Sequence, residues 1–167
     1  IRDRPQGVSS FVTIQEGCDK FCSFCVVPYT RGPEYSRSIS SIKNEAKLLV
    51  SQGAREIILL GQNVNAYEDN TSNNGEKLNQ LIDDLSEIEE IKRIRYTTSH
   101  PINMSDKLIN CHSTNHKLMP FLHLPVQSGS SKILKKMNRK YDRDYYRKII
   151  HKLQHAKPGV EISSDFI

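Results

Sequence analysis

The chain has 167 residues, of which 37% are hydrophobic and 26% are charged, and its formal net charge is +5 at pH 7. These values predict a soluble globular domain of ordinary size. They exclude a membrane span, because no window approaches eighteen consecutive apolar residues. The opening residues, IRDRPQG, do not form a signal-peptide pattern. The basic excess suits a polyanionic partner such as RNA but does not require one.

Short apolar runs alternate with helical patterns along the chain. Strands are predicted at 9–17, 55–64, 93–101, 120–129 and 160–167, and helices at 41–53, 78–88, 105–112, 131–138 and 142–156. The run 55–64 is apolar through its centre, which is typical of a parallel strand buried on both faces. The polar, Asn-rich segment 68–77 is predicted to be a flexible loop.

This βα alternation predicts an α/β fold with a parallel sheet and right-handed crossovers. Five β units suit either an open doubly wound sheet or part of a barrel. The last strand ends at Ile167 without a covering helix, and a barrel cut there would expose an edge. We therefore expect the sequence to be a fragment. Ligands of such folds gather at the carboxyl ends of the strands, here 18–25, 61–65, 98–100, 127–130 and 163–165.

Three of the four cysteines lie in the stretch GCDKFCSFC, with the spacing C-x3-C-x2-C. Structural zinc normally takes four ligands, and Cys111 would be a distant fourth. A redox pair would use Cys22 and Cys25 and leave Cys18 without a role. Three unrelated buried thiols are the plain alternative, although the polar residues between them are typical of a loop. An iron–sulfur cubane held by three thiolates would keep one iron open to bind and activate a small molecule.

The spacing C-x3-C-x-aromatic-C, with Phe24 before Cys25, resembles the signature of radical S-adenosylmethionine enzymes. The segments VTIQEGCDKFCSFCVVPYTRGPEYSR, LLGQNVNAY, RIRYTTSHP, HLPVQSGS and ISSDFI occur in the order found in tRNA methylthiotransferases, and they closely resemble the MiaB type. The resemblance implies a partial (β/α) barrel of radical SAM type, with about five parallel strands and outer helices, truncated before the last strand. It also implies that Cys18, Cys22 and Cys25 ligate a [4Fe–4S] cluster.

In that family the open iron chelates the amino and carboxylate groups of S-adenosylmethionine, and electron transfer yields a deoxyadenosyl radical that takes hydrogen from the substrate. The implied reaction is methylthiolation of N6-isopentenyl adenosine beside the tRNA anticodon. Sister enzymes modify threonylcarbamoyl adenosine or an aspartate of a ribosomal protein. The implied partners are tRNA and an electron donor such as flavodoxin or ferredoxin. A cytoplasmic setting is expected, since the cysteine pattern is unlike a secreted disulfide scaffold. A monomer that has no membrane partner is expected as well.

Such enzymes also carry an amino-terminal methylthiotransferase domain with a second [4Fe–4S] cluster, and a carboxy-terminal RNA-binding domain of TRAM type. Neither is present in residues 1–167, and the sixth strand of the barrel is missing too. We therefore expect an incomplete radical SAM core domain that is inactive for sulfur insertion by itself.

The strand ends supply candidate cofactor ligands. By resemblance they are Gly61, Gln62, Asn63, Gln127, Ser128 and Asp165. The first three occupy the place where these enzymes contact the cofactor's amino group, with an ordinary βα turn as the alternative. Glycine at the first position would permit close approach of the backbone to a ligand. The last three are expected near the ribose hydroxyls, although the aspartate would equally satisfy backbone groups.

Arg31 and Arg37 follow the cysteine loop and are candidates for binding cofactor carboxylate or RNA phosphate, with an ion pair to Glu34 as the alternative. His100 ends a strand, where capping a turn is a commoner role than general-base catalysis. His123 is predicted to be a core residue, and Cys111 a plain buried thiol.

The segment 131–157 contains ten lysines and arginines against two aspartates. A solvated helix face is the ordinary interpretation of such a segment, and a nucleic-acid contact is the other. Combined with zinc at the cysteines, the second interpretation gives an alternative function of a different class, a non-catalytic RNA-binding module.

Overall fold

The computed structural model describes residues 7–69, 71 and 75–167. In chain order its elements are β1 (Ser9–Thr13), β2 (Gln15–Glu16), α1 (Val27–Arg31), β3 (Tyr35–Ser36), α2 (Ile39–Ser51), β4 (Glu56–Leu60), a 3₁₀ turn (Val64–Ala66), β5 (Glu68–Asp69), β6 (Glu76–Lys77), α3 (Leu78–Ser86), β7 (Arg93–Tyr96), a second 3₁₀ turn (Pro101–Asn103), α4 (Asp106–Thr114), β8 (Phe121–His123), α5 (Ser131–Lys136), α6 (Arg143–Ala156) and β9 (Glu161–Ser163).

The five predicted strands are parallel but belong to two sheets. β1, β4 and β7 form a three-stranded sheet with β4 in the centre, so that Ser10, Ile57 and Ile94 lie side by side. β8 and β9 form a separate parallel pair. A parallel bridge pairs Ile94 of β7 with Leu118, which precedes β8 in the chain. The predicted α/β fold with parallel strands is confirmed.

The hydrophobic core lies on one face of the three-stranded sheet. Val12, Leu59 and Tyr96 are buried there in one cluster with apolar residues of α2, α3, α4 and α6. Those residues recur with helical spacing, for example Leu81 and Leu85 in α3. Burying each such aliphatic side chain contributes about 1.5–3 kcal/mol, so this face supplies most of the apolar stabilisation.

The opposite face of the sheet is only partly covered, which corrects the prediction that the strand at 55–64 is buried on both faces. Ile58 and Leu60 are half-buried, and Phe11 of the neighbouring strand is 64% exposed. The reason is that the helices pack on one side only. The other side carries Glu56, whose pKa is lowered by hydrogen bonds from Ser9 and then from Arg95.

Side-chain caps explain where several helices begin. The Ser105 hydroxyl accepts from the amide of Leu108 at the start of α4. α2 begins two residues earlier than predicted because Ser38 caps it. The short helix α1, with Pro28 in its first turn, was not predicted. Within the described ranges, none of the helices combines the length and the apolar character that crossing a membrane requires.

The predicted flexible loop 68–77 falls partly outside the described residues, which omit 70 and 72–74. Its two ends, β5 and β6, pair in antiparallel register with Glu68 opposite Lys77. These ends are therefore regular structure and not loop.

Candidate active site

A cavity of about 260 Å³ opens at the carboxyl ends of the parallel strands. Loops that follow all five strands contribute to its lining, which consists of Cys18, Lys20, Cys22, Phe24, Cys25, Val27, Gln62, Asn63, Thr98, Ser99, His100, His123, Pro125, Gln127, Arg139 and Asp165. The cysteine trio and the later strand ends, predicted separately, therefore meet at one place. This is the position where α/β folds bind their ligands.

A larger groove of about 690 Å³ lies elsewhere, between α2 and the turn after α3. Its lining mixes both signs of charge, and Lys43 already pairs with Asp84 at 3.4 Å and with Glu87 at 3.5 Å. Surface pairs of this kind contribute little energy and do not by themselves define a ligand. The smaller cavity, which the cysteine trio lines, is therefore the candidate site.

The three thiols of the trio surround the cavity in their unpaired form. Cys22 is buried, Cys18 and Cys25 are half-buried, and none forms a disulfide. The amide of Cys18 donates to the Gly32 carbonyl (3.1 Å) and that of Cys25 to the Cys22 carbonyl (2.9 Å). Burial raises the pKa of the Cys18 thiol. Since the thiolate is the form that binds metal, a positive centre held by Cys18 would offset this cost of burial.

The start of the cysteine loop is fixed by close backbone packing. Gly17 has φ +73, and a Cβ placed there would lie 2.0 Å from the Pro33 carbonyl oxygen. Its amide donates to Oε1 of Gln62 (2.7 Å), and its carbonyl accepts from Nε2 of Gln15 (2.7 Å). The loop therefore begins at one defined position, tied to the segment after β4.

The thiols of the trio are the donor type that iron–sulfur clusters take. Among the described residues, no three His, Cys, Asp or Glu side chains converge closely enough to hold one metal ion. In an iron–sulfur cubane each thiolate binds a different iron, so three thiols spread around a cavity fit such a group. Cys111 lies elsewhere, on α4, where its thiol contacts Oδ1 of Asp83 at 3.8 Å. Burial, followed by the Asp83 charge, raises its pKa to about 12, as expected of an inert structural thiol.

Two polar atoms of the lining have unused hydrogen-bonding capacity. In the part of the chain that the structure describes, Oδ1 of Asn63 and Oγ of Ser99 are buried without a partner. The Asn63 side-chain amide is oriented by Oε1 of Glu34 (2.9 Å). An unsatisfied buried polar group costs about 1–3 kcal/mol. Such atoms fit a polar ligand that would complete their bonds.

Four of the predicted cofactor ligands line the cavity: Gln62, Asn63, Gln127 and Asp165. The other two have different surroundings. Gly61 packs against Gln15, whose Oε1 would lie 2.6 Å from an added Cβ. The backbone of Gly61 therefore lies close to the backbone and side chain of Gln15. The Ser128 hydroxyl accepts from the amide of Ser130 at 3.4 Å.

The two candidate arginines, Arg31 and Arg37, have different surroundings. Arg37 pairs with Glu45 (2.6 Å) and donates to the Thr13 carbonyl (2.7 Å), which gives it a structural role beside α2. Arg31 is exposed at the end of α1. Glu34, the alternative partner of these arginines, pairs with Lys20 at 3.6 Å.

The two histidines of the lining have distinct roles. His100 caps the turn after β7, its Nδ1 accepting from the amide of Ile102 (3.2 Å), and burial, with the nearby charges of Arg139 and Lys20, lowers its pKa to about 3. His123, predicted to be core, instead faces the cavity. Strand alternation is the reason, because Leu122, its neighbour in β8, is buried on the other face. Its Nδ1 lies 2.8 Å from the Ser163 hydroxyl.

Backbone strain concentrates around this cavity. Among the described residues, the non-glycine residues with positive φ are Phe21, Thr98, Gln127 and Asn138. Two of them line the cavity, Phe21 belongs to the cysteine loop, and Asn138 donates to the Phe21 carbonyl (2.7 Å). Strained residues persist where the surrounding structure fixes them, and they cluster at ligand sites. The residue types of Phe21, Thr98 and Gln127 do not predict a positive φ. Arg139 is one of ten basic residues in the segment 131–157, and nothing in the sequence sets it apart from the others.

The sequence of residues 12–167 matches the radical SAM superfamily, and the chain belongs to that family. It is 60% identical over 166 residues to the tRNA-2-methylthio-N(6)-dimethylallyladenosine synthase of Rickettsia akari (strain Hartford). The aligned region covers 98% of this chain and 37% of that protein. The chain thus spans little more than a third of the length of this relative.

Solved structures of radical SAM enzymes share the fold. The cobalamin-dependent enzyme OxsB with aqua-cobalamin and S-adenosylmethionine bound gives a TM-score of 0.73 at 15% identity, covering 94% of this chain and 23% of that one. The methyltransferase TsrM of Kitasatospora setae with cobalamin and a [4Fe-4S] cluster bound gives 0.67 at 14% identity, covering 93% and 30%.

Proposed function

We propose that residues 1–167 are the radical SAM core of a longer tRNA methylthiotransferase that acts on N6-isopentenyl adenosine next to the anticodon. The observation that carries the proposal is the meeting of three free thiols and two unpartnered polar atoms at one cavity. The name of the relative from Rickettsia akari supports this substrate over threonylcarbamoyl adenosine or a ribosomal protein aspartate.

Cys18, Cys22 and Cys25 hold a [4Fe–4S] cluster in this proposal. Membership of the radical SAM superfamily and the cluster bound in TsrM support it. The cluster, when bound, supplies the electron for reductive cleavage of S-adenosylmethionine. A second such cluster and an RNA-binding domain of TRAM type belong to the parts of the protein outside these residues.

The remaining lining residues bind and orient S-adenosylmethionine. Oδ1 of Asn63 is a free acceptor suited to its amino group, and Ser99 offers a hydroxyl for its carboxylate or a ribose oxygen. Gln127 and Asp165 extend the polar lining toward the ribose hydroxyls. Because the pKa of His100 is held near 3, this histidine stays neutral and acts as a fixed part of the wall, without moving a proton at neutral pH.

The partners in this proposal are tRNA and a one-electron donor such as flavodoxin or ferredoxin, with a monomeric protein in the cytoplasm. The candidate RNA contacts are Arg31, which is exposed at the end of α1, and the basic segment 131–157. Arg37 is a weaker candidate because its side chain already binds Glu45.

The test uses a matched pair of cysteine variants. The chain is reconstituted anaerobically with iron and sulfide, then given S-adenosylmethionine and dithionite, and 5′-deoxyadenosine is measured. The wild-type chain and Cys111→Ala are expected to form it, whereas Cys22→Ala is expected to lose both the cluster and the product. Both variants remove a buried thiol, so a general loss of stability would affect them alike.

A colourless protein with stoichiometric zinc would reject the enzyme and favour the RNA-binding module. The substrate is tested separately in the full-length protein, with tRNA that carries or lacks the isopentenyl group. Methylthiolation of the unmodified tRNA at an equal rate would contradict the proposed substrate.

A further inference from the structure

Arg139 is a buried cation beside the cysteine trio. It lies in the turn between α5 and α6 and is 8% exposed. Its Nη1 donates to Sγ of Cys22 (3.4 Å), its Nη2 to the Pro125 carbonyl (3.0 Å) and its Nε to the Tyr141 hydroxyl (2.8 Å). The described partners of this guanidinium are a sulfur, a carbonyl and a hydroxyl, not a carboxylate.

The burial of this charge points to an anionic neighbour. Arginine stays protonated in proteins, and an ion removed from water without a countercharge costs several kcal/mol. Of the three contacts, the Cys22 sulfur is the one that would carry negative charge as a ligand of a metal cluster. A guanidinium in the wall thus complements a negatively charged occupant of the cavity.

A second set of contacts joins the same turn to the backbone around Cys22. The amide of Ser23 donates to the Met137 carbonyl (3.0 Å), and its hydroxyl donates to the Lys136 carbonyl (2.9 Å). Asn138, at φ +57, donates to the carbonyl of Phe21, at φ +48. Residues 136–139 therefore fix the backbone on both sides of Cys22 while Arg139 contacts its sulfur.

Tyr141 holds the guanidinium in place. Its hydroxyl accepts from Arg139 and donates to the Val126 carbonyl (2.9 Å), just past β8. The Arg139 guanidinium carbon lies 5.0 Å from the centre of the Tyr141 ring, a cation–π distance. The arginine is thereby anchored to the strand end on one side and to the cysteine loop on the other.

We propose that Arg139 is a positioning residue that hydrogen-bonds the Cys22 sulfur and raises the reduction potential of the cluster held there. The inference rests on the proposed function. Hydrogen bonds to cluster sulfurs and nearby positive charge favour the reduced, more negative state, so they shift the potential upward. The consequence is a cluster that accepts an electron more readily from its donor.

The test is the midpoint potential of the reconstituted cluster in Arg139→Gln, Arg139→Lys and the control Lys135→Gln. Lys135 is an exposed residue of α5, so its replacement removes one charge without touching the loop. Titration without S-adenosylmethionine is monitored by electron paramagnetic resonance. For Arg139→Gln we expect a tenfold smaller equilibrium constant for reduction, which is about 59 mV more negative for one electron. Lys135→Gln should match the wild type, and Arg139→Lys should fall between.

Equal potentials in Arg139→Gln and Lys135→Gln would overturn the inference and leave the proposed function intact. A wild-type chain that takes up no cluster would instead overturn the proposed function. If Arg139→Gln keeps its circular dichroism spectrum but takes up no cluster, the positioning role is supported. The midpoint potential of Arg139→Lys then tests whether Arg139 raises the reduction potential. A wild-type potential in that lysine variant would contradict the role of the forked hydrogen bonds.

Discussion

The helix-covered face of the three-stranded sheet and the cavity at the carboxyl ends of the strands are built differently. On the helix-covered face, Ile57, Leu59 and Ile94 are fully buried aliphatic residues in ordinary strand conformation. At the cavity, thiols and polar side chains make up most of the lining, and residues with positive φ lie in it or beside it. The first region stabilises the fold, whereas the second holds groups ready for a ligand at some cost in stability. Damage to one should therefore be separable from damage to the other.

The largest expected effect on the cavity comes from Gly17→Ala. The new Cβ would meet the Pro33 carbonyl, so the cysteine loop must move and iron uptake should be lost. Gly53→Ala is the matched control, since Gly53 also has positive φ but open space around it. That variant should lose about 1–3 kcal/mol of stability from backbone strain and keep its iron. The measurement is the iron content per chain of the two variants. An equal loss of iron in both would contradict a specific role for the cysteine loop.

The next effect concerns the helix-covered face. Ile57→Ala should lower the free energy of unfolding by about 2–5 kcal/mol, because it leaves a cavity in a closely packed core. Iron bound per folded chain should stay unchanged. Urea unfolding and iron analysis on the same sample measure both quantities. A parallel loss of iron binding would show that the two regions are not separable.

A smaller, pH-dependent effect is expected from His112 in the same core. Its Nε2 lies 2.6 Å from the buried Tyr96 hydroxyl, and burial, then the charge of Lys157, lowers its pKa to about 4. The unfolded chain binds this proton near pH 6.5, so stability is fully present above that pH and falls as pH drops toward 4. The slope is at most about 1.4 kcal/mol per pH unit.

Urea unfolding of the wild type and His112→Gln between pH 7 and pH 4.5 measures this slope. The difference in stability between the two proteins should shrink as the pH falls. A difference that is constant across this range would reject the assignment to His112.

Sequence patterns predicted where the cavity lies because the carboxyl ends of parallel strands share one edge of a sheet. Cys18 and Gln127 could therefore be placed near each other before any side-chain contact was known. Three features escaped them. The side that His123 faces depends on strand register, and the positive φ of Thr98 carries no residue signal. Arg139 resembles its basic neighbours, and its contact with Cys22 joins residues 117 positions apart. Long-range packing, which local patterns do not encode, decides all three.

The smallest expected effect is at the outer surface. Lys152 and Asp106 join α6 to α4 at 2.7 Å, with both side chains exposed. Lys152→Ala should change the free energy of unfolding by about 1 kcal/mol or less, because solvent screens such pairs. Urea unfolding at low and high salt checks this. A loss of more than about 2 kcal/mol would contradict the view that burial, and not surface charge, stabilises this region.

The central claim is that three thiolates hold a cluster with one iron open to S-adenosylmethionine. Its most direct test is the electron paramagnetic resonance spectrum of the reduced, reconstituted chain before and after S-adenosylmethionine is added. We predict a cluster signal that changes on addition and that is missing in Cys18→Ser, Cys22→Ser and Cys25→Ser. A cluster signal that S-adenosylmethionine leaves unaltered, or that survives in these variants, would contradict the account.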